Sequence, residues 1–332
     1  MKFPLSLHLD MTLYLVGNAL RGIQRFPMVL MLEPTHRCNL HCTGCGRIRE
    51  YRDTLGQELT LQECLDSVEQ CPAPVVTITG GEPLLYGQVG ALVKEVLRRR
   101  RHIYLCTNGV LLEKSLDLFK PSPRFTFNVH LDGPREIHDA IIGTPGTFDK
   151  AMEGIRAAKR FGFRVTTNTT IYRETEPQRL ELLFHILTKE GVDGFLIAPA
   201  YHYDTVKDGI FMTREEIVGK FRQLEPLFRK YRIISTPPYL EFLRGRRKML
   251  CTPWGNPTRN PAGWKSPCYL ITDTHYSSFQ DLMERTPWER FVRGEDSRCR
   301  HCMMHCGFEP TVVRELGHSL LDLWRMILWN VR

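Results

Sequence analysis

The sequence predicts an α/β fold: a partial (β/α)6 barrel of the TIM type with a small cysteine-rich C-terminal domain. Short apolar runs alternate with helix-length segments over the first two thirds of the chain, a pattern typical of βαβ units and a parallel sheet. The alternation gives six units, fewer than the eight of a complete barrel. After about residue 232 it stops, and proline, glycine and cysteine become frequent.

The predicted elements follow one another without a long interruption. The six predicted strands are the apolar runs at 28–32, 74–79, 102–107, 125–131, 163–171 and 194–200. Helices are expected from residue 60, over 86–101, after residue 111, over 148–161, from residue 177 and over 213–230. Thr60 and Glu63 have the spacing of a capping box, and Pro177 suits the first turn of a helix. In such folds the chemistry lies at the carboxyl ends of the strands.

These limits divide the chain into four segments. They are an N-terminal amphipathic segment (1–27), the barrel (28–231), the cysteine-rich domain (232–315) and a C-terminal amphipathic helix (316–332). The third segment is expected to be rich in loops and poor in core, so that a metal would help to stabilise it. For the two apolar ends, packing against the barrel and lying on a membrane surface both stay open.

Composition narrows the class of protein. Of the 332 residues, 42% are hydrophobic and 25% are charged, which is enough for a buried core. The net charge is 45 − 37 = +8, which indicates a solvated basic face or an anionic membrane surface. Nucleic acid is not expected as a partner, because no zinc finger, helix-turn-helix or RNA-binding aromatic pattern accompanies the charge.

Location follows from the same reading. There is no run of 18 apolar residues, so no membrane-spanning helix is expected. No cleavable signal peptide is recognised at the start of the sequence. We therefore expect a cytoplasmic protein, with peripheral contact to the inner face of the membrane as a further option.

The 11 cysteines are clustered. In a cytosolic protein, x2 and x3 spacings indicate metal or redox use rather than a disulfide framework. Cys38, Cys42 and Cys45 follow the first predicted strand with the spacing Cys-x3-Cys-x2-Cys. A local triple is awkward for tetrahedral zinc, whereas thiolates hold the corners of a 4Fe-4S cube. Three thiolates would leave one iron open to a small molecule.

This loop resembles that of the radical S-adenosylmethionine (SAM) superfamily. In that superfamily the open iron is chelated by SAM, and an electron from the cluster cleaves the sulfonium to give a 5′-deoxyadenosyl radical. The resemblance implies a 4Fe-4S cluster and SAM as cofactors, and an electron donor such as flavodoxin or ferredoxin. One position departs from the pattern: the residue before the third cysteine is commonly aromatic and is Gly44 here.

A second motif, residues 79–83, resembles the GGE motif of the same superfamily. Its two glycines would let the backbone approach the ligand closely, and Glu82 can accept from an ammonium group. At other strand ends, polar residues fall where the superfamily holds ribose and adenine, and Asp132 is the favoured acceptor of a ribose hydroxyl. The implied SAM contacts are Gly80, Gly81, Glu82, Asn108, Asp132, Asn168, Thr170 and Pro199.

Longer segments resemble one family within it, the adenosylhopane synthases (adenosyl-hopene transferases) of bacterial hopanoid biosynthesis. They are MLEP at 31–34, YLCTN at 104–108, FKPSP at 119–123 and the cysteine-rich pattern over 251–309. The resemblance implies that the 5′-deoxyadenosyl radical adds to the terminal alkene of hopene (diploptene). Two alternatives stay open: a radical SAM enzyme that matures a peptide or cofactor by hydrogen abstraction, and a non-catalytic iron–sulfur or zinc protein.

Radical addition to a terminal alkene leaves a tertiary carbon radical, which must receive a hydrogen atom. A thiol is a competent donor, because its S–H bond is weaker than the tertiary C–H bond that forms. Cys106 ends the third predicted strand at the expected mouth of the active site, and we identify it as the candidate donor. The alternative is an inert buried cysteine, since free cysteines are often buried.

A second set of cysteines lies in the C-terminal part of the chain. Gly263 lies five residues before the second of them, a layout that resembles the shortened auxiliary-cluster domains of other radical SAM enzymes. Four of the five could hold a second 4Fe-4S cluster, and a structural zinc site or plain thiols are the alternatives. The five are Cys251, Cys268, Cys299, Cys302 and Cys306.

Overall fold

A computed structural model describes residues 2–203, 206, 209–315 and 319–331. Its strands are β1 (Val29–Thr35), β2 (Val75–Gly80), β3 (His102–Thr107), β4 (Phe125–His130), β5 (Arg164–Ile171), β6 (Phe195–Pro199), β7 (Thr258–Asn260), β8 (Gly263–Pro267) and β9 (Thr272–Tyr276). They form one sheet in the order β6-β5-β4-β3-β2-β1-β7-β8-β9. The six predicted strands are thus confirmed, and each end lies within three residues of its prediction.

Helices separate the strands and cover the sheet. They are α1 (Leu5–Leu20), α2 (Gly46–Glu50), α3 (Leu61–Gln70), α4 (Val89–Arg98), α5 (Leu112–Ser115), α6 (Arg135–Ile142), α7 (Thr147–Arg160), α8 (Pro177–Lys189), α9 (Arg214–Gln223), α10 (Glu225–Lys230), α11 (Pro237–Leu243), α12 (Phe279–Arg285), α13 (Trp288–Val292), α14 (His305–Glu315) and α15 (Leu320–Val331). Short 3-10 turns lie at Arg52–Thr54, Pro83–Leu85, Leu116–Leu118, Pro253–Gly255 and Ser297–Cys299.

The first six strands make the expected parallel barrel wall. Each pairs in parallel with its predecessor along the chain, so their carboxyl ends meet at one edge. The capping box at the start of α3 is confirmed, because Glu63 N donates to Thr60 Oγ1 over 3.2 Å and Thr60 N donates to the Glu63 carboxylate over 2.7 Å. The single helix predicted over 213–230 is instead two helices, α9 and α10. Pro226 explains the break: it fits the first turn of α10 but cannot donate the hydrogen bond that would continue α9.

The cysteine-rich segment is more regular than the sequence suggested. β7 pairs in parallel with β1, and β8 and β9 continue the same sheet as antiparallel strands. Trp254, Trp264 and Trp288 are buried in the same hydrophobic core as the barrel. The expectation of a loop-rich segment with little core was therefore wrong. Its strands are only three to five residues long, too short to show a clear alternation in the sequence.

The N-terminal helix α1 lies across the amino-terminal edge of the barrel. Asp10 contacts His102 at the start of β3, over 2.7 Å, and forms an ion pair with Arg124 just before β4. Tyr14 Oη donates to the carbonyl oxygen of Pro27, over 2.8 Å, just before β1. α1 thus covers the floor of the barrel, opposite the carboxyl ends of the strands.

The C-terminal helix α15 begins at Leu320; residues 316–318 and 332 of the predicted C-terminal segment lie outside the described residues. Its end meets the start of the chain, because Lys2 N donates to the carbonyl oxygen of Asn330 over 2.8 Å. Within the described residues, no helix combines the length and the apolar character needed to cross a membrane.

Candidate active site

The cysteine loop that follows β1 is fixed at the carboxyl edge of the barrel by backbone hydrogen bonds. Gly81 N donates to the carbonyl oxygen of Thr35 over 3.1 Å, and Glu82 N donates to that of Arg37 over 2.7 Å. Thr43 N donates to the carbonyl oxygen of Ile141, over 3.0 Å, at the end of α6. The end of β2 therefore holds the beginning of the loop, and α6 holds its far side.

The two glycines of the GGE motif are explained by this contact. A Cβ on Gly81 would lie 2.0 Å from the carbonyl oxygen of Arg37, and one on Gly80, whose φ is +117°, would lie 2.4 Å from that of Thr35. Backbone carbonyls cannot move aside as a flexible side chain can. The two glycines thus allow the close approach of the cysteine loop, and their close approach to a ligand stays a prediction.

Cys38, Cys42 and Cys45 lie near one another and are free, half-buried thiols. Cys45 N donates to the carbonyl oxygen of Cys42 over 3.1 Å. Burial raises the pKa of Cys42 to about 12, and the charges of Cys45 and Cys38 raise it further. Burial likewise raises the pKa of Cys38 to about 11. Cys38 and Cys42, whose pKa values are raised, need a strong cation to stabilise them as thiolates.

This donor set fits an iron–sulfur cluster. Within the described ranges, no three His, Cys, Asp or Glu side chains converge closely enough to hold a single metal ion. A cubane does not require such convergence, because each thiolate binds its own corner. The loop supplies three such thiols, all partly exposed.

Glu82 joins the ends of β2 and β3. Its carboxylate accepts from Thr107 Oγ1 over 2.7 Å, from Asn108 N over 2.8 Å and from Leu84 N over 3.1 Å. Burial raises the pKa of Glu82 to about 7, although these three hydrogen bonds oppose that shift. Asn108 extends the link, because its side-chain amide donates over 2.8 Å to Asn39 in the cysteine loop. Glu82 and Asn108, both predicted SAM contacts, thus also help to hold the cysteine loop in place.

Asp132 and His130 form a pair at the end of β4. The carboxylate of Asp132 accepts from Thr170 N and lies beside His130 Nε2, each over 2.8 Å. Its side chain has no exposed surface, whereas that of His130 is 30% exposed. Burial lowers the pKa of His130, but Asp132 more than offsets this and leaves it above its usual value. His130 is therefore the exposed polar group of this strand end, whereas Asp132, the predicted acceptor of a ribose hydroxyl, is buried.

The remaining predicted SAM contacts lie on the same edge. Leu131 N donates to the carbonyl oxygen of Asn168 over 3.0 Å, and Pro199 ends β6 opposite Ile171 of β5. The structure thus brings all eight predicted residues to the carboxyl ends of β2 to β6. Which of them contact SAM stays a prediction.

Two tyrosines that sequence reasoning missed pack against the cysteine loop. A Cβ on Gly44 would lie 2.8 Å from Tyr172 Oη, and one on Gly46 would lie 2.2 Å from the ring of Tyr203. The space beside the third cysteine is thus taken by Tyr172, which directly follows β5. The unusual Gly44 was the available signal, because a missing side chain leaves room for another.

Cys106 lies on β3 with a partly exposed side chain. It pairs with Asn128 of β4, which in turn pairs with Thr166 of β5. Asn128 Nδ2 lies 3.5 Å from Cys106 Sγ, and Asn128 Oδ1 accepts from Thr166 Oγ1 over 3.0 Å. Burial raises the pKa of Cys106 to about 11, so the sulfur keeps its hydrogen at neutral pH.

The five C-terminal cysteines line one cavity of about 180 Å³. Burial raises the pKa of Cys251 well above its usual range, and the charges of the other four raise it further. A Cβ on Gly307 would lie 2.4 Å from Cys251 Sγ, so glycine at that position makes room for the thiol. The cavity is lined by Cys251, Cys268, Cys299, Cys302, Cys306 and Arg214, among other residues.

Arg47 connects the two groups of cysteines. It lies two residues after Cys45, and its Nη2 donates to the carbonyl oxygen of Tyr269, over 2.8 Å, directly after Cys268. Its guanidinium lies 4.0 Å from the centre of the Tyr269 ring and 2.9 Å from the fully buried carboxylate of Glu33. Burial lowers the pKa of Arg47, but Glu33 more than offsets this and leaves it well above its usual value.

Two protein-family models match the chain, and one of them covers the cysteine loop and the strands around it. The model of the radical SAM superfamily matches residues 32–186, which include the cysteine loop and the first five strands. A second model, described as a domain of unknown function (DUF3463), matches residues 195–326. Over residues 32–186 the chain is therefore similar to the radical SAM superfamily. Its cofactors are a 4Fe-4S cluster and SAM, and the loop thiols are the residues that would hold the cluster.

Curated relatives of this chain have names that refer to several different substrates. The pre-heme d1 synthase of Dinoroseobacter shibae is 31% identical over 173 residues, 51% of this chain and 43% of that protein. The Fe-coproporphyrin III synthase of Methanosarcina barkeri is 25% identical over 57% of this chain and 47% of its own length. The PqqA peptide cyclase of Granulibacter bethesdensis is 24% identical over 83% of this chain and 79% of its own length. The first two alignments thus span less than half of the relative, and none of these names refers to a hopanoid.

Solved structures share the fold. Streptococcus suis SuiB bound to S-adenosylmethionine has a TM-score of 0.61 at 15% identity, covering 75% of this chain and 61% of that one. Native anSMEcpe with bound AdoMet has a TM-score of 0.59 at 17% identity, covering 92% of this chain and 100% of that one. At such identities the likeness concerns the fold, and it confirms the α/β partial barrel with its C-terminal extension.

Proposed function

We propose that this chain is a radical SAM enzyme that adds the 5′-deoxyadenosyl radical to the terminal alkene of hopene (diploptene), giving adenosylhopane. The observation that carries the proposal is Cys106, a partly exposed, protonated thiol on the third strand of the barrel. The adenosylhopane-synthase-like segments, which extend from residue 31 to residue 309, support the same function.

The chemistry balances with one thiol and one reductant. The cofactors supply the 5′-deoxyadenosyl radical, and methionine leaves. The radical carbon forms a C–C bond with the terminal CH2 of hopene, which breaks the π bond and leaves a tertiary carbon radical. That radical takes the hydrogen atom of Cys106 Sγ. The resulting thiyl regains one electron and one proton from a reductant, such as flavodoxin or ferredoxin, and from solvent.

The surroundings of Cys106 suit this transfer. A thiolate has no hydrogen atom to give, so a pKa of about 11 keeps the donor in its active form. Asn128 fixes the direction of the sulfur through the 3.5 Å contact, and Thr166 fixes Asn128 in turn. A donor held on one wall of the barrel delivers its hydrogen to one face of the substrate radical, which gives a single stereoisomer.

The direct test is anaerobic incubation of the protein with SAM, dithionite and diploptene, followed by mass spectrometry of the lipid. The expected product contains the whole adenosyl group joined to hopane. Free 5′-deoxyadenosine with unchanged diploptene would contradict the proposal.

Cys106 variants test the donor itself. We expect Cys106→Ala to keep SAM cleavage but to lose the single stereoisomer and most of the product, because the tertiary radical no longer meets a weak S–H bond. Cys106→Ser is the matched control: it keeps the shape but offers only a strong O–H bond, so it should behave like alanine. Wild-type yield and stereochemistry in either variant would exclude Cys106 as the donor.

A second function, hydrogen abstraction from a peptide or a cofactor, is favoured by the names of the relatives. They refer to haem-type cofactors and to a peptide cyclase, and on this ground they speak for abstraction rather than addition. The assay distinguishes the two, because an abstracting enzyme releases 5′-deoxyadenosine in step with product. A non-catalytic iron–sulfur or zinc protein would form none.

We also propose that the C-terminal cavity holds a metal centre, either a second 4Fe-4S cluster or zinc. Five thiols that line one cavity of about 180 Å³ support it. With two clusters we expect about eight irons per chain in anaerobically purified protein, and about half of that in a Cys299→Ala/Cys302→Ala variant. About four irons with one zinc would indicate the zinc site, and about four irons alone would exclude a metal in this cavity.

A further inference from the structure

Two exposed apolar stripes run along the terminal helices. On α1 the stripe consists of residues that are 50% to 84% exposed, and on α15 of residues that are 41% to 66% exposed. The residues on α1 are spaced by three or four, and those on α15 by three except for the neighbours Ile327 and Leu328, which places each set on one side of its helix. Leu323 of α15 is also exposed (42%). The residues on α1 are Leu5, Leu9, Leu13, Val16 and Leu20, and those on α15 are Leu321, Trp324, Ile327, Leu328 and Val331. We call these ten side chains the terminal-helix surface.

The chain just before α1 contacts the end of α15. Phe3 N donates to the side chain of Asn330 over 2.8 Å, and the rings of Phe3 and Trp329 lie 5.7 Å apart. Lys2 Nζ lies 4.7 Å from the centre of the Trp329 ring. The residues just before α1 and the end of α15 are therefore packed together, which brings the two helices to the same part of the molecule.

Positive charge lies beside the surface. Arg21 directly follows α1, and its Nε donates to the carbonyl oxygen of Gly17 over 2.9 Å. Arg101 directly precedes His102, which lies 2.7 Å from Asp10 of α1. The carbonyl oxygen of Arg100 accepts from Arg124, the ion-pair partner of Asp10 on α1. In the described part of the chain, no carboxylate lies within ion-pair distance of Arg21, Arg100 or Arg101.

Negative charge is turned away from it. α1 and α15 carry one carboxylate each, Asp10 and Asp322. Asp10 pairs with Arg124 of the barrel, and Asp322 pairs with Arg247 over 2.7 Å. Both acids thus neutralise arginines of the protein body, and in the described part of the chain the arginines beside the two helices, Arg21, Arg100 and Arg101, have no carboxylate partner.

We propose that the terminal-helix surface binds the surface of an anionic lipid bilayer. Exposed leucines and a tryptophan would enter the headgroup region, where an amphipathic helix lies parallel to the membrane, and tryptophan favours that depth. Arg21, Arg100 and Arg101 would meet lipid phosphates, each contributing at short range. This inference rests on the proposed function, because an enzyme that takes hopene is expected to contact the membrane. It adds which surface of the chain makes that contact.

A second copy of the chain fits less well. A twofold contact would bring the same patch of both copies together, and with it two sets of unpaired arginines and no carboxylate from either terminal helix. Lipid phosphates supply the counter-charge that a second copy lacks.

The test uses the full-length protein and flotation with vesicles of phosphatidylcholine, alone or mixed with phosphatidylglycerol. We expect flotation with the anionic vesicles, and weaker flotation as salt screens the charge. Leu9→Gln/Leu13→Gln/Trp324→Gln/Leu328→Gln should reduce the partition coefficient more than about tenfold. Arg21→Gln/Arg100→Gln/Arg101→Gln should reduce it by about fivefold for each arginine and remove most of the salt dependence.

The matched control is Leu118→Gln/Leu182→Gln, two exposed leucines outside the surface (56% and 43% exposed), which should float as the wild type does. An unbound wild type, or a floating fourfold apolar variant, would overturn the proposal. So would light scattering that shows a dimer which the fourfold variant turns into a monomer. Because the vesicles contain no hopene and the adenosylation assay can be run in detergent, failure here is distinguishable from failure of the proposed function.

Discussion

Cys42→Ser is expected to remove the iron of the cysteine loop and to reduce SAM cleavage to background. The three loop thiols lie close together, since the charge of Cys45 contributes to the raised pKa of both Cys38 and Cys42, and no other cysteine of the chain lies on this loop. A serine hydroxyl does not ionise as a thiol does, and hard oxygen is a poor substitute for a soft thiolate on iron. With two thiols left, a second iron of the cubane would have no thiolate ligand. The loop would then fail to retain the cluster, and SAM would have no iron to bind.

The measurement is iron content together with 5′-deoxyadenosine formed under reducing conditions. Cys106→Ser serves as the control, because it removes a barrel thiol that is not in the loop and should keep both iron and cleavage. Wild-type iron and cleavage in Cys42→Ser would show that the loop does not hold the cluster.

The barrel could be predicted from the sequence because its signals are local. Each strand is an apolar run bounded by turn residues, and the start of α3 is specified by two residues three apart, Thr60 and Glu63. The carboxyl edge followed from the order of strands alone, since parallel neighbours end on the same side. For this reason the cysteine loop, the GGE motif and the polar strand ends could be predicted to lie together.

What the sequence did not reveal depends on contacts between distant residues. The hairpin β8–β9 joins the barrel sheet through β7, whose pairing with β1 links residues more than two hundred positions apart. Tyr172 fills the space beside Gly44, and only the fold brings the end of β5 to that loop. The pairing of Asp132 with His130 and Thr170 likewise depends on the fold. It buries Asp132 and leaves His130 as the exposed polar side chain of this strand end.

The contacts of Arg47 also join distant residues, and we expect their loss to lower the stability of the fold strongly. Its partner Glu33 is completely buried, and Arg47 itself is 10% exposed, at an ion-pair distance of 2.9 Å. Nearby, Lys265 is also buried, and burial together with the charge of Arg47 lowers its pKa to about 8. The two cations and the carboxylates of buried Glu33 and partly exposed Glu50 thus balance one another.

We expect Arg47→Met to lower the free energy of unfolding by about 3–5 kcal/mol, because it leaves the Glu33 carboxylate buried without a partner. Urea unfolding under anaerobic conditions measures the loss. The matched control is Arg135→Met, which breaks an ion pair of 2.8 Å whose side chains are 59% and 41% exposed and should cost less than about 1 kcal/mol.

The double variant Glu33→Leu/Arg47→Met separates charge from packing. If the cost of Arg47→Met comes from an uncompensated buried charge, removing that charge should recover most of the lost stability. If the main role of Arg47 is instead its bond to Tyr269, which ties the cysteine loop to the C-terminal thiols, the double variant stays as unstable as the single one. Equal costs for Arg47→Met and Arg135→Met would contradict both accounts, and the buried pair would then add no more stability than an exposed one.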